Sequence, residues 1–314
     1  MIGIGNNQLM KSNVASIEGQ YQAYSLRITG IMVSNDFGAN FTENITDNLD
    51  YRQIRISTTG QYMSCVIADI TGRVAISSNY GVTWTIKLTG RRTGFKLGMS
   101  SNGQYQVVSS GNGIIGYMSI SSDYGATWGE LTSAGSRDWQ GISISSTGQY
   151  MVATVDLVGI YVSNDYGATW THTAYSEFMR DCEISSSGEY MVVCRRNATL
   201  QISSNYGVSW GSTGFTDTKG WQSLGMSSDA KYINVGTTNI DEYFYYSNDY
   251  LATATTFNSA GARSWTGMAI STNGKHQLAC AYNYKIYKST DYGVTWADLG
   301  AVSALHWGVA INRD

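Results

Sequence analysis

One eight-residue pattern, Ser-x-Asp-Tyr-Gly-x-Thr-Trp, recurs along the chain at a regular spacing, and that recurrence limits the fold more than any single residue does. It stands complete at Ser121 (SSDYGATW), Ser163 (SNDYGATW) and Ser289 (STDYGVTW). Near-copies begin at Ser34 (SNDFGANF), Ser77 (SSNYGVTW), Ser203 (SSNYGVSW) and Ser247 (SNDYLATA). Their first serines are 43, 44, 42, 40, 44 and 42 residues apart. Such a period, sustained over almost all of 314 residues, marks a repeat architecture in which each unit buries its apolar face against its neighbours.

A second motif, Ile-Ser-Ser-x-Gly-Gln-Tyr-Met, precedes each box. Its glycine stands at Gly19, Gly60, Gly103, Gly148, Gly188 and Gly274, with Ala230 in the sixth copy. Glycine there suits a tight reversal between two apolar runs. In the fourth repeat the runs are Trp139 to Ile144, Tyr150 to Val155, Gly159 to Ser163 and Thr169 to Thr173. Each repeat therefore reads as four short strands with period-two alternation and no helical pattern. Four strands in roughly forty residues is the size of a propeller blade. The expected fold is all-β: a seven-bladed β-propeller of four-stranded antiparallel blades, one domain spanning 1–314. The tail Leu305 to Ile311 repeats the first strand of the last unit, Ser264 to Ile270. It is expected to close the ring as the inner strand of the first blade, in preference to Met10 to Ser16, which lacks the aromatic.

Charged residues make up only 14% and the net charge is −3, which argues against nucleic acid as a partner. Glycine (35) and tyrosine (23) are abundant and proline is absent, so there is no proline-rich linker. Met1 to Met10 has neither a basic start nor an apolar run, and no stretch has the length of a membrane helix. No signal peptide and no membrane insertion are expected, which leaves an extracellular or particle-associated setting open. Cys65, Cys194 and Cys280 share a strand position in different repeats and read as buried thiols. Only Cys182 and Cys194 are near enough in one repeat to pair.

The box resembles the Asp-box, or bacterial neuraminidase repeat, of sialidase-like β-propellers. That resemblance implies a hairpin between the third and fourth strands of each blade. The side chains of Asp36, Asn79, Asp123, Asp165, Asn205, Asp249 and Asp291 would then hold the turn, and the tryptophan would pack between sheets. Asp and Asn both make such turns, so these residues read as structural rather than catalytic or calcium-binding. No metal and no cofactor are expected. Asp-box propellers include sialidases, xyloglucan-cleaving glycosidases, receptors, assembly factors and lectins, and fold does not choose among them. The sialidase Phe/Tyr-Arg-Ile-Pro motif cannot occur without proline. Arg52, Arg92, Arg137, Arg180 and Arg263 lie near strand starts, but no Tyr/Glu pairing accompanies them. A glycosidase needs two carboxyl groups, for which Asp50, Asp138, Glu177 and Asp181 are the candidates. His172, His276 and His306 come with no nucleophile elbow.

An aromatic stands just ahead of each inner strand: Tyr51, Phe95, Trp139, Phe178, Trp221, Trp265 and Trp307. A cation lies two positions earlier at Arg137, Lys219 and Arg263. Inner-strand starts open on the channel mouth, so these residues are expected either to form a stacking rim for a ligand or to pack between blades. The catalytic residues stay unassigned. The reading favoured is a non-enzymatic recognition module, lectin-like or protein-binding, whose partner is a glycan or a protein held at the channel-mouth face. Its alternatives are a glycoside hydrolase or lyase on the same face, and a structural subunit of a virion or surface appendage.

Overall fold

The computed structural model describes residues 18–27, 30–45, 47–69, 71–89, 96–111, 113–174, 177–238, 242–258, 261–300 and 306–312. Apart from one 3-10 turn at Thr132–Ala134, the regular elements are strands. The first repeat contributes β1 (Gln22–Leu26), β2 (Gly30–Ser34) and β3 (Thr42–Ile45), and the second β4 (Tyr51–Ile56), β5 (Met63–Ile67), β6 (Arg73–Ser77) and β7 (Thr85–Leu88). Next come β8 (Leu97–Met99), β9 (Gln106–Val108), β10 (Met118–Ser121) and β11 (Gly129–Leu131), then β12 (Trp139–Ile144), β13 (Met151–Val155), β14 (Gly159–Ser163) and β15 (Thr171–Ala174). The fifth repeat holds β16 (Met179–Ile184), β17 (Met191–Ala198), β18 (Gln201–Ser203) and β19 (Gly211–Ser212). The sixth holds β20 (Lys219–Met226), β21 (Ile233–Thr237), β22 (Phe244–Ser247) and β23 (Thr255–Phe257). The last are β24 (Trp265–Ile270), β25 (Gln277–Ala281), β26 (Ile286–Ser289), β27 (Ala297–Asp298) and β28 (His306–Ile311).

The pairing corrects the expected blade count. Five sheets are separate four-stranded blades, not seven, and the strands β16 to β23 form one eight-stranded sheet. The cause is local. β17 and β20 each run to eight residues, and their overlong ends pair with each other at Arg196↔Gly220 and Ala198↔Lys219. Trp221 Nε1 donates to the Ala198 carbonyl at 2.9 Å across the same junction.

The strands β4, β8, β12, β16, β20, β24 and β28 each touch the next, and β28 touches β4, so these strands close a ring around a central channel. β28 completes the first blade by pairing antiparallel with β1, Gln22 opposite Ile311 and Tyr24 opposite Val309. Met10 to Ser16 lies outside the described residues. A belt of backbone bonds joins neighbouring units at the ends of these strands: the Thr58 amide donates to Ser101 O, Ser101 to Ser146 O, Ser146 to Ser186 O and Ser186 to Ser228 O, at 2.8–3.0 Å. Asn312 extends the belt, its Nδ2 donating to Thr58 O at 2.9 Å and its Oδ1 accepting from the Tyr21 amide at 2.9 Å.

Each box joins the third and fourth strands of its unit and is held by its own side chains. In the fourth repeat Ser163 Oγ donates to Asp165 Oδ1 at 2.8 Å and accepts from the Gly167 amide at 2.9 Å. The Thr169 amide donates to Asp165 Oδ1 at 2.8 Å and its hydroxyl to Oδ2 at 2.6 Å. Asn79 and Asn205 accept the same amide bond but donate through Nδ2 to Thr83 and Ser209. That is why either residue type serves. The turn also requires left-handed backbone at the tyrosine, such as Tyr166 with φ 59°. That ring lies 5.1 Å, centroid to centroid, from Tyr105 of the preceding unit. Its neighbours explain the motif glycine. At Gly60, where φ is 77°, a Cβ would fall 2.1 Å from the Tyr21 ring.

The aromatics at the strand starts are core. Tyr51, Trp139, Trp221 and Trp265 are fully buried, which corrects their expected place on a ligand rim. The reason is a β-bulge at each site. The register slips between Tyr51 and Ile54, Trp139 and Gly141, Trp221 and Ser223, and Trp265 and Gly267. The extra residue reverses the alternation, so Trp139 turns to the same face as Ile142 and Ile144 and packs with them. Truncating such a ring removes core. The four cysteines are free and buried, so Cys182 and Cys194 are not bridged, and burial pushes the Cys280 thiol up to about 12.

Candidate functional site at the channel mouth

Charged side chains fill the channel. On β16, Asp181 and Glu183 alternate with Cys182 and Ile184, so the acids face the axis while their neighbours face the sheet core. Glu183 Oε1 accepts from Arg55 Nη2 at 2.6 Å and Oε2 from Ser143 Oγ at 3.0 Å. Asp181 Oδ2 accepts from Lys96 Nζ at 2.7 Å and from the Leu224 amide at 3.3 Å. β4 and β8 are not neighbours of β16 in the ring, so both ion pairs span the channel. Burial pushes the Asp181 carboxyl up, against the pull of Lys96. The space left beside these pairs amounts to cavities of about 50 and 10 Å³. A small-molecule site takes roughly 300–1,000 Å³, so neither of these two cavities has room for a sugar. Arg55, Lys96 and Glu183 were not among the expected site residues. Their signal was a charge flanked by apolar residues: Arg55 between Ile54 and Ile56, Lys96 between Phe95 and Leu97, and Glu183 between Cys182 and Ile184.

The cations paired with the buried aromatics are lids. The Arg137 guanidinium sits 4.9 Å from the Tyr161 ring centre and that of Arg263 3.3 Å from Tyr284. Lys219 Nζ lies 5.4 Å from Tyr245, with Asp217 and Glu242 at 3.8 and 3.7 Å. Phe95, Arg92 and the Trp307 side chain lie outside the described residues, as does the His306 side chain. Phe178 alone of the described rim aromatics is exposed, at 46%.

Phe178 is one of three exposed apolar residues on loops of the third, fourth and fifth repeats that are tied by hydrogen bonds to the strand starts. The Gly113 amide reaches both Asp138 oxygens at 3.1 Å, and Gly116 bridges Arg137, which seats the loop carrying Ile115 against the start of β12. The Leu157 amide donates to Glu177 O at 3.1 Å, and the Arg196 amide to Phe178 O at 2.7 Å. Glu177 itself pairs with Arg195. Ile115 is 75% exposed and Leu157 55%. Leu157 holds a left-handed φ of 58° at a turn position that the fifth and seventh repeats fill with Asn197 and Asn283. Asparagine tolerates that conformation better than leucine does, so local folding does not explain an exposed leucine there.

Between these apolar residues lies a polar centre. Gln140 Nε2 donates to Asp138 Oδ1 at 2.8 Å. Gln140 Oε1, Asp156 Oδ1 and Arg180 Nε are buried atoms with no hydrogen-bond partner among the described residues. Burial pushes the Asp138 carboxyl above the usual carboxylate range; the Gly113 amide and Arg180 draw it back and the Asp156 charge adds to the rise. Elsewhere at the mouth Asp50 is clamped by Arg27 Nε at 3.2 Å and Arg52 Nη2 at 3.4 Å. Among the described residues no group of three or more metal-ligating side chains occurs, and no helix is long and apolar enough to cross a membrane.

No protein-family model matches the chain, and no curated protein matches it. Solved structures do. The GH74 xyloglucanase from Xanthomonas campestris superposes with a TM-score of 0.69 at 12% identity, over 93% of this chain and 52% of that one. The β-propeller domain of Myceliophteria thermophila Cps50 (Swd1) gives 0.64 at 11% identity, covering 86% and 92%. YCF48 bound to a D1 peptide gives 0.59 at 12%, covering 80% and 82%. The chain spans about half the length of the xyloglucanase, and identities this low carry the architecture alone. What the strand ring and these likenesses establish together is a β-propeller.

Proposed function

We propose that the chain is a recognition module that binds a partner polypeptide at its channel-mouth face. The observation that carries this reading is the exposed set Ile115, Leu157 and Phe178 around a polar centre with unpartnered buried atoms. Apolar anchors beside a few fixed polar groups are what a peptide-binding surface needs. A glycan would need ring faces, and Tyr51, Trp139, Trp221 and Trp265 give theirs to the core. YCF48, one of the similar propellers, binds a peptide.

The test is selection of random peptides on the immobilised chain. Enriched peptides should lose at least about tenfold in affinity for Leu157→Asp, a loss of about 1.4 kcal/mol, while Val208→Asp, an exposed residue in a box turn, should leave them unchanged. Failure to enrich, or equal binding to Leu157→Asp, would overturn the reading. One observation favours a second function, glycoside hydrolysis: burial raises the Asp138 carboxyl, which suits a general acid, and Asp156 supplies a second carboxyl group beside it. Release of reducing sugar from xyloglucan, abolished by Asp138→Asn, would support that reading; no release would remove it.

A further inference from the structure

The repeats allow the polar centre to be compared, atom by atom, with its counterpart in the second repeat. Ser57 and Ser145 fix the inner-strand register, each hydroxyl accepting from the tyrosine amide five residues on, at Tyr62 and Tyr150. Counting back from these serines, Asp138 corresponds to Asp50 and Gln140 to Arg52. Tyr51 pairs with Ile67 and Trp139 with Val155, so Asp156 corresponds to Ala68. Gln22 and Gln106 fix the second strands, each amide donating to its motif-glycine carbonyl. Gly111 therefore corresponds to Arg27.

Around Asp50, two guanidinium groups offset the carboxylate charge. Asp50 Oδ1 is likewise without a hydrogen-bond partner among the described residues, so the contrast between the two sites is one of charge. Around Asp138, one of those arginines is a glycine, the other is a glutamine, and an alanine has become a second carboxylate. Asp138 forms no ion pair among the described residues. Arg180, which draws the Asp138 carboxyl back down, balances one of the two acids at most. Gln140 is 2% exposed, and its Oε1 is an acceptor with no partner; Asp156 Oδ1 is another. Buried acceptors without donors are costly, and two carboxylates in a partly desolvated site repel. An incoming donor-rich cation would remove both costs together.

We infer that the group Asp138, Gln140 and Asp156 receives a cationic side chain, arginine or lysine, of the partner polypeptide. The ligand's positive group takes the place that Arg27 and Arg52 fill around Asp50, while Ile115, Leu157 and Phe178 hold apolar residues beside it. This deepens the polypeptide-binding reading and rests on it for the source of the cation. The site itself is defined by the repeat comparison alone. A planar guanidinium offers five donors in a fixed fork, which suits one acceptor on each of Gln140 and Asp156.

The probes are N-acetyl-L-arginine amide, N-acetyl-L-lysine amide and the neutral N-acetyl-L-citrulline amide, titrated into the isotope-labelled full chain. The Gly113 backbone amide, which donates to Asp138, is the reporter. Either cationic amide should move its resonance saturably, and the citrulline amide should not. Asp156→Asn removes the second charge without changing shape, and Gln140→Arg supplies within the chain one of the two guanidinium groups found around Asp50. Both should weaken binding by at least about tenfold, as loss of a charge-assisted bond does, with the remaining amide resonances showing that each variant is folded. Absence of a saturable shift, an equal shift with citrulline, or unchanged binding in either variant would overturn the inference. Should Leu157→Asp leave peptide capture intact, the docking reading fails and a measured cation site still stands. Should capture require Leu157 and no cation bind, only the cation site fails.

Discussion

Replacing Glu183 tests how the two halves of the ring are tied across the channel. Glu183 and Arg55 form one of two cross-channel pairs, with side chains only 2% and 15% exposed. The other pair, Lys96 with Asp181, is 13% and 4% exposed. Two cations and two anions leave the plug neutral. Glu183→Leu removes one anion and leaves the Arg55 guanidinium in low-dielectric surroundings. Among the described residues Arg55 then keeps the Leu97 carbonyl, which its Nε reaches at 3.1 Å, and the charge of Asp181. Breaking a buried pair in this way costs about 3–5 kcal/mol. Water reaching the neighbouring 50 Å³ cavity places the expected loss at the lower end, about 3 kcal/mol. At an unfolding entropy of about 2.1 cal/mol/K per residue over 314 residues, that lowers the melting temperature by roughly 5 °C. Arg55→Met together with Glu183→Leu restores an uncharged, filled channel and should recover most of it, because replacing both partners by apolar groups is often neutral. Calorimetry of both singles and the double gives the coupling energy. Lys285→Met, whose partner Asp298 is also partly exposed, should leave the melting temperature nearly unchanged as a surface control. A Glu183→Leu protein that melts with the native one, or a double variant no better than the worse single, would refute the reasoning.

Two further outcomes follow from burial and titration. Trp139→Ala should cost about 3–5 kcal/mol, whereas Phe178→Ala, at an exposed position, should cost under about 1 kcal/mol; chemical denaturation of both distinguishes core from surface. The box aspartates Asp36, Asp123, Asp165, Asp249 and Asp291 are all held below the usual carboxylate value, Asp36 at about 2 by the Asn40 amide, the Ser34 hydroxyl and the Asn40 side chain. A lowered folded-state pKa gives stability that is present above the unfolded value near 3.8 and lost as pH falls through the folded one. The melting temperature should therefore drop as pH is lowered from about 4 toward 2, and Asp165→Asn should remove that box's share of the slope. An equal slope in the variant would contradict the assignment.

The box was legible because its chemistry is local. Ser163, Asp165, Gly167 and Thr169 satisfy one another within seven residues, so their order in the sequence already states the turn. Strand number per repeat was legible for the same reason. Blade separation was not, because the join between β17 and β20 lies in two strand ends that look like loop in the sequence. The strand-start aromatics misled for a different reason. Trp139 and Ile142 have opposite parity, which in an unbroken strand puts them on opposite faces, and only the bulge at Trp139 brings them together. Bulges leave no mark on the alternation until the partner strand is known. The mouth site was half-visible: Asp138, Arg137, Glu177 and Phe178 stood out by position. Asp156, Gln140 and Leu157 matter only by contrast with Ala68, Arg52 and Asn283, and that contrast required the register.

The pairing of β1 with β28 has a kinetic consequence. The two strands meet across most of the chain, Ser25 Oγ reaching the Gly308 carbonyl over a separation of 283 residues. During synthesis β1 emerges well before its neighbour β28, so one row of its amides and carbonyls must wait in water. Contacts of such long range slow folding, and a waiting strand edge invites pairing with another chain. At synthesis rates of about 5–20 residues per second, that wait lasts from about fifteen seconds to a minute. A chaperone that shields strand edges would raise the yield of this protein most when it acts on the first repeat.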